Sequence, residues 1–334
     1  MPAPLRLRLD GAALAANWRW LAAQSGAAAC GAAVKADGYG LGAREVVARL
    51  GQAGCRDFFV ATWAEAAALG ALPDGCALSV LHGLREEDMA VAAASAARPV
   101  LNSPEQVARW RPTGLPCDVM IDTGMNRLGL SPADDLSGLN IDTRMSHLAC
   151  ADEDSPMNAG QLAAFAVLDI PARRRSLANS AGICLGSDYA FDLTRPGLAL
   201  YGGIPRREAG GHIAQVVFPE AQIVQRRHVA AGQSIGYGAT FIAPRDSEVA
   251  ILNIGYADGY LRGFSSRGSA GQGCFPVLGR VSMDLTAIDV TGADVAEGDW
   301  VTIDYDLPTA SAASGLSQYE LLTGLGRRFE RIWR

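Results

Sequence analysis

Ala33-Val34-Lys35-Ala36-Asp37-Gly38-Tyr39-Gly40-Leu41-Gly42-Ala43 is the stretch on which the reading of the chain turns. Lys35 is the only lysine in 334 residues, and every other one of the 29 lysine-plus-arginine positions is arginine. A guanidinium stays protonated and forms no imine, whereas an ε-amine can be desolvated, deprotonated and condensed with an aldehyde. A chain that avoids lysine elsewhere and keeps one here marks a position that requires a primary amine. Lys35 ends a short apolar run, residues 31–34, and precedes glycines and a helical pattern. That order places it at the carboxyl end of a strand, where α/β folds carry their chemistry. The glycines also fit G-x-G-x-x-[G/A], with Asp57 about twenty residues further on, which is the pattern of a dinucleotide fold. The two readings are separated only by the rest of the chain.

Outward from this stretch, short apolar segments recur at residues 31–35, 58–62, 78–82, 99–102, 118–122, 144–149, 175–178 and 198–201. Stretches of helical composition, such as residues 43–51, 64–69 and 158–167, separate most of them. Eight buried strands alternating with helices predict an α/β fold, a (β/α)8 TIM-like barrel. A doubly wound six-stranded sheet is the runner-up and leaves two strands without a place. From about residue 214 the texture changes to period-two alternation punctuated by glycines, the pattern of a second, mainly antiparallel β domain. Residues 5–9 alternate in the same way and are expected to pair with it. The expected division is a barrel over residues 11–212 and a β domain built from residues 1–10 and 213–334. Residues 206–211 are the candidate linker, and a helix over residues 316–325 is expected to close the chain.

With 49% hydrophobic and 19% charged residues the chain can bury a large core. A net charge of −6 without a polybasic run argues against nucleic-acid and membrane partners. Seven scattered cysteines with no C-x-x-C pair read as reduced thiols of a cytoplasmic protein. The four histidines are isolated, so no metal site is expected. The amino terminus has the outline of a signal peptide, but Asp10, Asn17 and Arg19 interrupt its apolar region, so none is expected there.

Just past the apolar runs stand Lys35, Asp122, His147, Asn179, Ser180 and Arg195-Pro196-Gly197. Barrel enzymes build their sites at that face and often bind a phosphate in the loops after strands seven and eight. Ser180 and Gly197-Leu198 occupy those loops. A phosphate there and an aldehyde-reactive lysine on strand one suggest pyridoxal 5′-phosphate (PLP).

The chain resembles the alanine racemases across nearly its whole length. The resemblance rests on Val34-Lys35-Ala36-Asp37-Gly38-Tyr39-Gly40, Asp122-Thr123-Gly124-Met125-Asn126-Arg127-Leu128-Gly129, Ser146-His147-Leu148-Ala149, Ala178-Asn179-Ser180, Arg195-Pro196-Gly197, Gly255-Tyr256-Ala257-Asp258-Gly259 and Gly279-Arg280-Val281-Ser282-Met283-Asp284. It implies a PLP-loaded barrel and a head-to-tail homodimer in which the β domain of one subunit completes the other's site. By the same resemblance Lys35 would hold PLP covalently and act as the base on the D-amino acid side, with Tyr256 of the partner as the opposite base. Arg127, Met283 and Asp284 would contact substrate. Tyr39, Asn179, Ser180, Gly197 and Leu198 would hold the phosphate end of the cofactor. His147 would lie beside the pyridine ring and Arg195 would donate to its nitrogen, leaving it unprotonated, since a guanidinium has only donors.

The expected activity is interconversion of L-alanine and D-alanine for peptidoglycan. The alternatives are a racemase of serine or of broader specificity, a related barrel decarboxylase, and a non-catalytic PLP-binding protein. Three positions depart from the family pattern. Met120 stands where a carbamate-modified lysine is common, Ser176 where a bridging histidine is common, and Arg327 where a phosphate-contacting tyrosine is common. Asn126 or a bound anion is expected to support Arg127 in place of the carbamate.

Overall fold

The computed structural model describes residues 3–334. The chain divides into two compact units, residues 14–200 with 204–214, and residues up to 13 with 201–203 and 215–334.

In the first unit seven parallel strands follow one another in sequence order: Ala32–Ala33, Asp57–Val60, Ala77–Val80, Arg98–Leu101, Pro116–Met120, Asn140–Met145 and Arg174–Ser176. An eighth, Leu193–Thr194, pairs in parallel with Ala29–Cys30, which continues into the first strand across Gly31. On its other side the Asp192 and Arg195 N–H groups reach the carbonyls of Arg175 and Ala178 at 3.1 and 2.8 Å. The ring of strands expected from the sequence is therefore present. Gly31 is required where it closes, because a Cβ there would stand 2.8 Å from the Asp57 carbonyl oxygen.

One strand assignment is corrected. Residues 198–201 form the buried 3-10 helix Leu198–Tyr201, and the eighth strand lies earlier, at Leu193–Thr194. A short buried apolar run fits either state. The sixth strand also begins earlier than its apolar run, because Asn140, Asp142 and Thr143 belong to a polar layer at the amino ends of the strands.

Phe59, Val100, Met120, Met145 and Leu193, from five different strands, pack into one apolar cluster. At the amino ends Asp118 is fully buried and accepts from Ser79 Oγ at 2.5 Å, the Thr143 N–H at 3.0 Å and Arg98 Nε at 3.2 Å. Arg98 also meets Asp142 at 3.2 Å, and Arg174 bridges Asp142 and Asp57 at 3.1 and 2.7 Å. Each buried charge here is paired with its opposite, the condition under which ions are tolerated away from water.

In the second unit the strand order is Thr286–Asp289, Ser247–Leu252, Val217–Val229, Leu5–Leu9 and Glu330–Trp333, with Trp300–Thr302 also pairing with Val217–Val229. All pairings are antiparallel except that of Leu5–Leu9 with Glu330–Trp333. Leu5, Leu7 and Leu9 point inward, as their alternation requires. The chain does not close on a helix: Leu307–Ser314 and Gln318–Thr323 are followed by the strand Glu330–Trp333. That strand is short and half-charged, so it carries no periodic signal. Arg206, in the segment expected to be a linker, is buried and donates to the carbonyls of Ala151 and Glu153 at 3.0 and 2.8 Å. No helix among the described residues is long and apolar enough to cross a membrane.

Removing the Asp118 carboxylate strands Ser79 and the Thr143 N–H and leaves Arg98 with Asp142 alone. Asp118→Ala is expected to lower unfolding free energy by about 3–5 kcal/mol, the cost of breaking a buried pair. Urea denaturation at matched protein concentration measures this, and a loss below about 1 kcal/mol, a surface-pair value, would refute it.

Candidate active site

At Lys35 the first barrel strand ends and the chain coils the wrong way. Ala36, Asp37, Gly38 and Tyr39 all have φ between 53° and 64°, a left-handed turn in which three of four residues carry side chains. Such residues cost roughly 1–2 kcal/mol each, so the turn must be held from outside. Glu65 Oε1 accepts the Ala36 N–H at 2.7 Å, and the other oxygen accepts that of Ala61 at 2.6 Å while Glu65 completes the capping box of helix Trp63–Leu69. Asp37 Oδ1 accepts the N–H of Ala43, the first residue of helix Ala43–Ala53. The glycines of this motif thus serve a left-handed turn, not the turn of a dinucleotide fold. Burial lowers the pKa of Lys35, the Arg127 guanidinium lowers it further, and Glu65 opposes both. The amine is shifted toward its neutral, nucleophilic form.

After Pro116–Met120, the Asp122 carboxylate accepts the N–H groups of Gly124, Met125 and Asn126 at 2.9 to 3.2 Å and so shapes the loop ending at Arg127. Arg127 is exposed, yet its charge acts on both Lys35 and His147. Asn126 is left-handed (φ 56°) and its amide Nδ2 donates to Gly124 O at 3.4 Å. His147 follows Asn140–Met145. Burial, then the charges of Arg195, Arg127 and Lys35, push its pKa down to about 3, so the imidazole is neutral.

Arg195 is buried and its partners are neutral. Nη1 donates to Ser176 Oγ and Nη2 to the Ser146 carbonyl at 2.5 Å. Burial holds its pKa down, to about 10, and the group stays charged. Ser180 Oγ, buried, accepts the N–H groups of Gly197 and Ala199 at 2.9 and 3.3 Å. A Cβ on Gly197 would stand 2.2 Å from the Tyr39 hydroxyl, so that hydroxyl, Ser180 and the Gly197 N–H converge on one small cradle. Asn179 caps the short helix Ser180–Cys184 through the Gly182 N–H at 2.8 Å, and Leu198 is buried at the start of its 3-10 turn. The set consists of hydroxyl and amide donors for a phosphate, a depressed amine for an aldehyde, and a donor-only arginine for a ring nitrogen. These residues fit PLP.

The β unit carries its own cluster. Gly255 lies so close to the Ser282–Met283 backbone that a Cβ would meet the Met283 carbonyl oxygen at 2.3 Å, and the N–H groups of Tyr256 and Ala257 donate to Ser282 and Met283 at 3.0 Å. Arg328 grips buried Asp258 at 2.6 and 2.9 Å and Asp284 at 2.7 Å, locking the two motifs together. The Tyr256 ring lies under Arg262, 5.3 Å from its guanidinium carbon. Met283 is half exposed.

Profiles of the alanine racemase N-terminal and C-terminal domains match residues 9–205 and 216–333. The chain belongs to the alanine racemase family. A biosynthetic alanine racemase of Agrobacterium fabrum is 42% identical over 98% of this chain and 93% of its own, and the catabolic enzyme of that organism is 42% identical over 98% and 91%. The crystal structure of alanine racemase from Bartonella henselae with covalently bound pyridoxal phosphate matches with a TM-score of 0.92 at 37% identity, covering all of both chains.

The positions that depart from the family pattern have local roles. Met120 fills the apolar barrel cluster, Ser176 Oγ passes the Arg195 contact on to the Leu193 carbonyl at 2.5 Å, and Arg327 is exposed. Tyr237 has no role in the sequence reading. It sits between left-handed Gly236 and Gly238 in the hairpin joining Ser234–Ile235 to Phe241–Ile242, and is 67% exposed. A Cβ on Gly238 would lie 3.3 Å from Arg280 Nη1, so the hairpin borders the Gly279–Asp284 motif.

With its folded pKa near 3 and an ordinary value of 6.5, His147 contributes stability that is present above pH 6.5 and lost as pH falls toward 3. Its ring proton shifts in NMR spectra of the folded protein should stay flat from pH 9 to 5. A midpoint near 6.5 would contradict the site geometry.

Proposed function

We propose that this chain interconverts L-alanine and D-alanine with PLP as cofactor, using Lys35 on one face of the substrate α-carbon and a tyrosine of a second copy on the other. The observation that carries this reading is the chain's single lysine, standing at a strand's carboxyl end with a lowered pKa, in a sequence 42% identical to alanine racemases over nearly its full length. When bound, PLP draws off the electron pair released as the α-proton leaves. Lys35 Nζ takes or delivers that proton on the D side. Arg127 pairs with the substrate carboxylate. Tyr39, Ser180 and the Gly197 N–H hold phosphate, with Asn179 fixing the turn that presents Ser180. Neutral His147 packs against the ring, and Arg195 donates to its nitrogen without yielding a proton.

Inversion needs a second group on the opposite face. Tyr256 is the reading its motif suggests. Its place is fixed from two sides, by its N–H on the Ser282 carbonyl at 3.0 Å and by the Arg262 guanidinium over its ring. Tyr237, Ile242, Met283 and Leu285 are exposed apolar side chains on the surface of the β unit. The proposed assembly is a cytoplasmic homodimer in which this surface meets the partner's barrel, Met283 and Asp284 line the substrate position, and D-alanine serves peptidoglycan.

The defining experiment follows optical rotation of L-alanine with PLP-loaded protein. Decay to zero with total alanine unchanged is expected, and an unchanged rotation would sink the proposal. Lys35→Arg leaves no side-chain amine, so borohydride treatment should fix no PLP to the chain by intact mass. A retained adduct would rule Lys35 out. Tyr256→Phe should slow racemisation by roughly 10² to 10⁴, sparing α-hydrogen exchange of D-alanine more than that of L-alanine. Equal loss of exchange for both enantiomers would count against Tyr256 as the second base.

A further inference from the structure

Gln161 is a polar side chain of helix Pro156–Ala166 that is 2% exposed and fully employed. Its Oε1 accepts the Ala149 N–H at 2.8 Å, and its Nε2 donates to the His147 carbonyl at 2.9 Å and to Thr123 Oγ1 at 3.1 Å. The amide orientation is forced, because the Ala149 N–H can only donate and the His147 carbonyl can only accept. Thr123 Oγ1 in turn meets Ser146 Oγ at 2.8 Å, and the Ser146 carbonyl receives Arg195 Nη2. Thr123 also adjoins Asp122, whose carboxylate shapes the loop ending at Arg127. One buried amide therefore joins the loop of Arg127, the loop of His147 and, through Ser146, the guanidinium of Arg195. None of these joined groups is a carboxylate except Asp122, so the network fixes positions without neutralising the cations it arranges.

We infer that Gln161, acting through Thr123, is a positioning residue that sets Arg127 against His147 and Arg195. It touches neither substrate nor cofactor. Its effect is on where the substrate carboxylate is held, so the inference rests on Arg127 being the carboxylate contact.

The test uses PLP-loaded enzyme. Thr123→Val cuts the arm toward Arg127 and keeps the arm toward His147. It should raise KM for L-alanine about tenfold, the worth of one buried hydrogen bond, with kcat within about threefold. Thr123→Ser, which keeps the hydroxyl, should restore KM. Gln161→Met should raise KM at least as far and, without substrate, speed amide exchange over residues 122–127 about tenfold relative to wild type. If Gln161→Met does not fold, the Thr123 pair decides. An unchanged KM in Thr123→Val, or failure of Thr123→Ser to restore it, overturns the inference, as does unchanged exchange in folded Gln161→Met. An Arg127→Lys control separates the two readings. If it leaves KM unchanged, the role given to Arg127 falls and the exchange measurement alone decides the positioning.

Discussion

The site depends on the left-handed turn that follows Lys35. A right-handed continuation would carry Tyr39 to another face, away from Gly197, and would break the link from Ala36 to Glu65. Three side-chain-bearing residues with positive φ are an unfavourable choice in isolation, and they persist because Glu65, Asp37 and the helix beginning at Ala43 over-determine them. Strain of this kind concentrates where a group must be aimed. Here it aims an amine and a phenol from one short segment.

The two ends of the barrel strands treat charge in opposite ways. At the amino ends Asp57, Asp118 and Asp142 are matched by Arg98 and Arg174. At the carboxyl ends Arg195 is held by a hydroxyl and a carbonyl, and Arg127 acts on its neighbours with no carboxylate partner among the described residues. Burial first, and then the resulting positive field, lower the proton affinity of Lys35 and His147, and the field suits a phosphate and a substrate carboxylate. A conventional ion pair at Arg195 would have neutralised that field.

The positions that depart from the family pattern fit this economy of charge. Met120 gives the barrel interior one more apolar contact, with Met145 and Phe59 in the same cluster. Ser176 accepts from Arg195 and donates to Leu193, which keeps the guanidinium anchored with no added charge. Hydrogen bonds among neutral groups, with Gln161 at their centre, hold the loops in register.

Much of this was legible in the residues alone. A lone lysine after an apolar run, a series of such runs and a shift to alternation near residue 214 determine the barrel and the β domain, because periodicity and the chemistry of an amine are local properties. The tertiary structure decided what local pattern cannot. It placed the eighth strand at Leu193–Thr194 and coiled Leu198–Tyr201, since a short buried apolar run suits either state. It ended the chain on a strand whose partner lies at the other terminus, Leu5–Leu9. It also revealed the exposure of Tyr237, the left-handed turn after Lys35 and the hub at Gln161. Each of these depends on which distant groups arrive alongside, and that is settled only when the chain has folded.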